Sequence, residues 1–112
     1  MNTTIQQQDG YLVAVFEGRL DTAAAPKTEQ DMRPLYSNSE NQDIILDCAH
    51  LEYISSSGLR LFLGLLKATK PKGIHVYISN MSEGLKQVFN MTGFTSLFEF
   101  KWFFGIAPLL IW

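Results

Sequence analysis

Runs of apolar residues along the chain predict strands that alternate with helices. The run at 11–17 (YLVAVFE) is rich in β-branched and aromatic residues, and Asp9-Gly10 before it favours a hairpin with residues 3–8. The run at 43–48 (DIILDC) is short and almost wholly apolar, which is typical of a central strand covered on both faces. Further strands are predicted at 74–79 and, more briefly, at 97–100.

Three helices are predicted between and after these strands. The first covers 22–36, with the second of its prolines at its end or at a kink. The second has apolar residues at helical spacing from Leu59 and ends before Pro71. The third is predicted between a cap at Ser82 and a left-handed glycine at Gly93.

The order of these elements predicts an α/β fold, a mixed sheet of four to five strands with helices packed against it. At 112 residues the chain is long enough to bury a core without disulfides or metals. We assign residues 1–100 to this domain. Residues 101–112 (KWFFGIAPLLIW) are set apart as an apolar tail, because no charged residue follows Lys101.

The tail at 101–112 is too short to span a bilayer, which takes about 20 apolar residues. Four roles stay open for it: completion of the core, self-association as a homodimer, insertion at a membrane surface, or an altered reading frame at the C-terminus. Packing in the core or in a dimer is favoured, and no stable membrane insertion is expected. We expect partner binding not to need the tail, since every candidate site residue precedes it.

Charge and cysteine content exclude several classes of protein. The formal net charge is -2, and the 9 Lys and Arg residues are scattered rather than clustered in a basic stripe, so no nucleic-acid partner is expected. The single cysteine, Cys48, lies in an apolar run and is interpreted as a small buried hydrophobe. One cysteine permits no disulfide within the chain, and the N-terminus lacks the pattern of a signal peptide. A cytoplasmic protein is therefore expected.

Consecutive serines and a glycine separate the central strand from the second helix, in the sequence LEYISSSGLRLF. One serine is enough to cap a helix, since its oxygen accepts an N–H of the first turn. If the strand ends near Cys48 and the helix begins near Ser56, the hydroxyls lie at the carboxyl edge of the sheet, where open α/β sheets place their sites. A helix N-terminus also stabilises a phosphate. From these residues alone, simple capping is the favoured interpretation.

The chain shows no recognisable catalytic constellation. The serine segment lacks the first glycine of G-x-S-x-G, and His50 and His75 have no orienting carboxylate in a triad order. Neither a metal-ligand spacing nor a glycine-rich nucleotide motif is present. We therefore expect neither an enzyme nor a cofactor.

The second helix has two predicted faces. The face that includes Leu59, Phe62 and Leu63 is assigned to the core. The opposite face is mostly small or apolar rather than charged, which suits a docked partner but is also common on ordinary protein surfaces. This outward face is predicted to hold Arg60, Leu61, Gly64, Lys67 and Ala68.

Asp21 is the remaining polar residue of interest. Either Asp21 or Thr22 can cap the first helix. In this topology the loop after the second strand can lie beside the loop after the central strand, which would bring Asp21 near Ser55 and Ser56. Capping and a role at the site are compatible.

Three separated segments resemble the STAS domain, specifically the small bacterial anti-sigma factor antagonists. The segment FEGRLDTAAAP resembles the family's exit from strand two, and DIILDCAHLEYISSSGLRLFLGLLK resembles its strand-loop-helix signature. The segment SEGLKQVFNMTGFTSLF resembles its penultimate helix and final turn. The resemblance covers residues 3–100.

The resemblance also implies site residues. The family's loop typically reads D-S-S/T-G-L, and the serine after the aspartate is phosphorylated by the cognate anti-sigma factor, which is a protein kinase. Alignment on the glycine and leucine makes Ser56 the acceptor and matches Ser57 to the second hydroxyl, while Ser55 replaces the aspartate and removes a negative charge beside the acceptor. The implied partner-binding surface comprises Asp21, Ser55, Ser57, Gly58, Arg60, Leu61 and Gly64.

The function implied by the resemblance is partner switching that regulates sigma-factor-dependent transcription. The unphosphorylated protein would bind the anti-sigma factor serine kinase, phosphate on Ser56 would oppose that binding, and a PP2C-type phosphatase would reset the switch. Two alternatives stay open: a STAS subunit of a membrane transporter or lipid-transport complex, and a scaffold in a signalling assembly. A serine hydrolase has little support. The serine kept at the acceptor position of a free-standing domain favours the antagonist.

Overall fold

The computed structural model describes residues 1–38, 40–91, 93 and 99–100, and these form one mixed sheet with helices packed against it. The first pair of strands is antiparallel, and each later neighbouring pair is parallel. This architecture confirms the predicted α/β class and the mixed sheet. The strands are β1 (Asn2–Gln8), β2 (Tyr11–Leu20), β3 (Ile44–Ile54), β4 (Val76–Ser79) and β5 (Glu99–Phe100), and they lie in this order across the sheet.

The turn between β1 and β2 is the predicted hairpin. Asp9 and Gly10 have φ angles of 51° and 84°. Positive φ at both central residues is the requirement of a tight turn that matches the twist of the flanking strands. Gln8 and Tyr11 pair directly on either side of it. The Asp9-Gly10 turn therefore sets the register in which β1 and β2 pair.

Helices α1 (Ala25–Asp31) and α2 (Arg33–Tyr36) replace the single helix predicted at 22–36. The helix breaks at Met32 because Pro34 has no N–H to donate to the carbonyl four residues before it, and its ring would clash there. The proline thus marks a break between two helices. Residues 22–24 form a turn rather than helix.

Helices α3 (Ser56–Thr69) and α4 (Glu83–Met91) confirm the other two predictions. After α3 a short 3-10 turn contains Pro71, and Gly73 follows with a φ of 73°. The hydroxyl of Ser82 accepts the N–H three residues later at 3.3 Å and so caps α4. Gly93 has a φ of 77°, in the left-handed region. The tail at 101–112 lies outside the described residues.

The expectation that the central strand ends near Cys48 is wrong, because β3 continues to Ile54. Its pairing with β2 shifts register at two places, and each shift places one extra residue in β3. From residue 48 onward the buried positions are therefore Cys48, Leu51 and Ile54, which is every third residue instead of every second. Because of this irregular spacing, the sequence after residue 48 lacks the alternation of buried and exposed positions that predicts a strand.

The main core lies between one face of the sheet and the helices. Phe16 on β2, Phe62 on α3 and Phe89 on α4 pack in series with tilted rings, whose centroids are 5.2 and 6.4 Å apart. The opposite face of β3 is also buried, at Ile45, which confirms a central strand covered on both faces. Cys48 is fully buried, and burial raises the pKa of its thiol. Among the described residues, no helix is long and apolar enough to cross a membrane.

Strand β4 pairs with β3 only as far as Asp47 and Ser79. Beyond that point β2 and β3 continue together as an extension, which we call the ribbon (residues 17–20 and 50–54). Strand β1 pairs with the ribbon only through Asn2, opposite Glu17. The ribbon carries the loops that hold the predicted site.

Candidate functional site

The two loops of the predicted site leave neighbouring strand ends. Leu20, the last residue of β2, is paired with Ile54, the last residue of β3. The N–H of Ser55 donates to the carbonyl oxygen of Leu20 at 2.8 Å, which joins the two loops by a backbone hydrogen bond. The expectation that the loop with Asp21 lies beside the serine loop is therefore confirmed. Both loops lie at the carboxyl edge of the sheet.

Ser55 is the residue that caps α3. Its backbone is extended, with φ −87° and ψ 173°, and its Oγ accepts the N–H of Gly58 at 3.2 Å. Its carbonyl oxygen accepts the N–H of Leu59 at 2.9 Å. Only 8% of its surface is exposed. The hydroxyl of Ser55 is thus buried in the structure that starts the helix.

Ser56 is the first residue of α3 and is exposed to solvent. Its hydroxyl forms no hydrogen bond with any other described residue. The first N–H groups of a helix lack partners within the helix, and the helix dipole is positive at this end. A negative group on this hydroxyl would therefore be electrostatically favoured.

Ser57 is half-buried and faces a shallow hollow of about 280 Å³ between α1 and α3. Most of the wall is apolar, and the exposed side chains of Glu29 and Arg60 add one charge of each sign. The hollow gives a partner an indentation next to Ser56. Its lining consists of Ala25, Pro26, Glu29, Ser57, Arg60 and Leu61.

Gly58 faces the interior of the protein. A Cβ built on it would lie 2.6 Å from Cγ of Leu20 and 2.9 Å from Cγ1 of Ile54. Only a residue without a side chain lets α3 approach the ends of β2 and β3 this closely. A direct role of Gly58 at a partner surface stays a prediction, but its place in the fold is explained by packing.

The predicted outward face of α3 is wrong at Leu61 and Gly64. Leu61 is 9% exposed and belongs to the core. The hydroxyl of Tyr36 donates to the carbonyl oxygen of Leu61 at 3.3 Å and would lie 3.3 Å from a Cβ on Gly64. Helices α1 and α2 pack on this side of α3 and cover it. Leu63, which was assigned to the core, is instead only half-buried, while Arg60, Lys67 and Ala68 are exposed as expected.

Asp21 shapes the turn before α1. Its Oδ1 accepts the N–H of Ala24 at 2.9 Å, and its carbonyl oxygen accepts the N–H of Ala25 at 3.2 Å. The side chain is half-buried. The prediction that Asp21 or Thr22 caps the helix is wrong, because the helix begins only at Ala25 and its N-cap position, Ala24, has no side-chain cap. Asp21 caps the turn at 22–24 instead, and its contact with a partner stays a prediction.

A buried carboxylate close to the ribbon was missed by sequence reasoning. Asp47 is 0% exposed, and its Oδ1 accepts the N–H of Ala49 at 3.1 Å and Nδ2 of Asn80 at 3.2 Å. Its Oδ2 and the Oγ of Ser79 have no hydrogen-bond partner among the described residues. Burial raises the pKa of Asp47, and the bonds from Ala49 and Asn80 and the charge of His50 oppose that rise. Its signal in the sequence is an aspartate inside an otherwise apolar run.

A cation–aromatic pair on the ribbon was also missed. Arg19 of β2 is paired with Tyr53 of β3, and its guanidinium carbon lies 4.4 Å from the ring centroid. Both side chains are exposed, Tyr53 by 40%. No local pattern brings them together, because their pairing depends on both register shifts in β3.

The described residues include no group of three or more His, Cys, Asp or Glu side chains placed to hold a metal ion. Around the start of α3 the site thus combines the hydroxyls of residues 55–57 with the carboxylates of Asp21 and Glu29 and the guanidinium of Arg60. This arrangement can accept a modification and contact a protein surface.

Comparison with known proteins gives the family. The model of the STAS domain matches residues 2–105. The anti-sigma-B factor antagonist of Staphylococcus epidermidis is 34% identical over 94 residues, which cover 84% of this chain and 85% of that protein.

Solved structures share the fold. An anti-sigma factor antagonist from Mycobacterium paratuberculosis superposes with a TM-score of 0.77 at 21% identity, over 92% of this chain and 86% of the other. The Bacillus cell fate determinant SpoIIAA, solved in its phosphorylated form, gives a TM-score of 0.68 at 19% identity, over 89% and 91% of the two chains. With a family model that spans nearly the whole sequence and a close relative matched over most of its length, the chain belongs to the STAS domain family.

Proposed function

We propose that this chain is an anti-sigma factor antagonist, a regulatory binding protein rather than an enzyme, whose binding to an anti-sigma factor serine kinase is switched by phosphorylation of Ser56. The observation that carries the proposal is the exposed, unengaged hydroxyl of Ser56 at the start of α3. The relative from Staphylococcus epidermidis, an anti-sigma-B factor antagonist, supports the class of partner.

The three serines of the loop differ in burial, and this difference separates the serine that caps α3 from the serine that a kinase can modify. Ser55 is buried and its hydroxyl accepts a hydrogen bond that starts the helix, so a phosphate there would remove the cap. Ser57 is half-buried against the hollow. Ser56 alone is exposed, and a kinase can reach it without unfolding the loop. These differences in burial favour Ser56 as the acceptor.

Phosphorylation of Ser56 would act on binding rather than on folding. The phosphate carries a charge of about −2 at neutral pH and lies at the positive end of the α3 dipole, so the folded protein tolerates it. A partner that covers Ser56 must remove water from this charge, which costs several kcal/mol unless a cation on the partner replaces the water. The fold therefore stays unchanged while the affinity falls.

The remaining partners follow from this switch. A PP2C-type phosphatase would remove the phosphate and restore binding, and the released sigma factor would direct transcription. We expect this cycle in the bacterial cytoplasm. No described residue specifically favours the alternative of a transporter or lipid-transport subunit.

A binding titration tests the proposal. The anti-sigma factor serine kinases encoded in the same genome are purified, and each is titrated with the wild-type chain, Ser56→Ala and Ser56→Asp. We expect one kinase to bind the wild-type chain and Ser56→Ala with similar affinity, and Ser56→Asp at least tenfold more weakly, because the carboxylate sits in the covered contact.

Ser37→Asp is the matched control. Ser37 is also exposed, but it lies with Leu12 and Gln42 at the opposite end of the sheet. It should bind like the wild-type chain. Equal binding of Ser56→Asp and wild type to such a kinase would refute the switch, and no kinase binding at all would refute the antagonist role.

A further inference from the structure

The outer face of the ribbon presents an exposed cation against an exposed aromatic ring. Arg19 and Tyr53 are directly opposite each other on β2 and β3, so their side chains leave the same face of the ribbon. The guanidinium carbon of Arg19 lies 4.4 Å from the centroid of the Tyr53 ring. This face is the one opposite the helices, because Leu20 and Ile54, the next residues, point into the core.

This pair is continuous with the proposed switch. Leu20 and Ile54 separate Arg19 and Tyr53 from the two site loops by one residue on each strand. The backbone bond from Ser55 to Leu20 ties the strand ends together at this point. The end of the ribbon therefore borders the loop that holds Ser56, and a protein that covers Ser56 and extends past the strand ends can contact the pair.

The guanidinium of Arg19 lies against the Tyr53 ring, but no described carboxylate neutralises its charge. Within the described part of the chain it forms no ion pair with a carboxylate. Glu17, two residues earlier on the same face of β2, lies opposite His50 in the strand register and likewise forms no ion pair with a described residue. An arginine stacked on a ring keeps its N–H donors directed outward in a plane, and that geometry fits a carboxylate with two parallel hydrogen bonds. Stacking also orders the side chain before binding, so less entropy is lost on contact.

Arginine and tyrosine, together with tryptophan, are enriched at the energetically dominant positions of protein interfaces. From these observations we propose that the Arg19–Tyr53 pair is a second contact of the interface around Ser56, and that it binds an acidic side chain of the anti-sigma factor kinase. The inference rests on the proposed function, since it names the chemistry of the same partner. The pair selects between partners by charge, because a kinase with a basic residue at this position is repelled.

Charge reversal on the ribbon tests the inference. The anti-sigma factor kinase that binds the wild-type chain is titrated with Arg19→Glu, Arg19→Gln and Tyr53→Ala, after circular dichroism has shown native spectra and melting. We expect Arg19→Glu to bind at least tenfold more weakly and Arg19→Gln to lose affinity to a smaller extent. Tyr53→Ala should also weaken binding, because the guanidinium loses its support. The affinity of Arg19→Gln should depend less steeply on salt concentration than that of the wild type.

The matched control is Lys72→Glu, which makes the same change of charge in the exposed turn after α3, at the far end of that helix from Ser56. It should bind like the wild-type chain. Wild-type affinity in folded Arg19→Glu and Arg19→Gln, together with weak binding of Ser56→Asp, would overturn this inference and leave the switch in place. Tighter binding by Arg19→Glu would also overturn it, because the partner surface would then be basic. If no kinase binds the wild-type chain, the proposed function fails. The proposed contact between the Arg19–Tyr53 pair and an acidic side chain of the kinase then fails with it.

Discussion

Replacing Gly58 by alanine tests whether close packing of α3 against the strand ends is what places the serine loop. Gly58 is the third residue of α3 and is not among the described glycines with positive φ, so alanine meets no backbone strain there. Alanine has the higher helix propensity and would by itself stabilise the helix by about 1 kcal/mol. Packing acts in the opposite direction.

The added methyl group would lie 2.6 Å from Cγ of Leu20 and 2.9 Å from Cγ1 of Ile54. Ordinary contacts between carbon atoms are about 3.5–4.0 Å, so the overlap is about 1 Å. Cγ of Leu20 is a branch point close to the backbone of a fully buried residue and cannot swing aside. Overpacking of this kind typically costs about 1–3 kcal/mol. After the gain in propensity of about 1 kcal/mol, we expect a net loss of up to about 2 kcal/mol.

Urea denaturation of the two proteins measures this difference. A loss of this size lowers the midpoint by up to about 1 M urea for a domain of this size. Gly84→Ala is the control, because Gly84 is also near the start of a helix, α4, and a Cβ there has nothing within 4 Å. It should be about as stable as the wild type or slightly more stable. A Gly58→Ala protein as stable as Gly84→Ala would refute the packing argument.

Three further predictions concern single side chains. Ser55→Ala should lower the free energy of unfolding by about 1 kcal/mol in urea denaturation, because the N–H of Gly58 loses its acceptor, yet it should leave Ser56 open to phosphorylation. A raised pKa of Asp47 in the folded state means that the unfolding free energy falls as pH rises above the ordinary value of 3.8 and through the folded pKa. Asp47→Asn keeps an acceptor for the same donors and should gain stability relative to wild type as pH rises from about 4 to 7 in urea titrations; a constant difference would contradict this. Tyr36→Phe should lose only about 1 kcal/mol on urea denaturation, through its bond to Leu61, and a larger loss would show that the hydroxyl supports α3 in another way.

The parts of the fold that the sequence predicted correctly depend on local chemistry. The Asp9-Gly10 hairpin, the cap at Ser82 and the left-handed Gly93 each follow from one or two residues and their immediate neighbours. The break in the first predicted helix follows from the missing N–H of Pro34. The serine that caps α3 and the serine left exposed could be separated only in the structure, since the choice depends on where the helix begins.

The missed features depend on contacts between distant residues. The second half of β3 was missed because its two register shifts make inward positions recur every third residue. The same shifts set the pairing of Arg19 with Tyr53, so no single-strand pattern shows it. Leu61 was assigned to the surface because the helical period alone does not reveal that Tyr36 and its helix cover that side of α3.

Mapping of the phosphate by mass spectrometry tests the central claim most directly. The full chain is incubated with ATP and the anti-sigma factor kinase that binds it, and phosphopeptides are compared between wild type, Ser55→Ala, Ser56→Ala and Ser57→Ala. The account predicts a single phosphate on Ser56, which is lost only in Ser56→Ala. A phosphate on Ser55 or Ser57, or phosphorylation that persists in Ser56→Ala, would contradict the assignment of Ser56 as the switch.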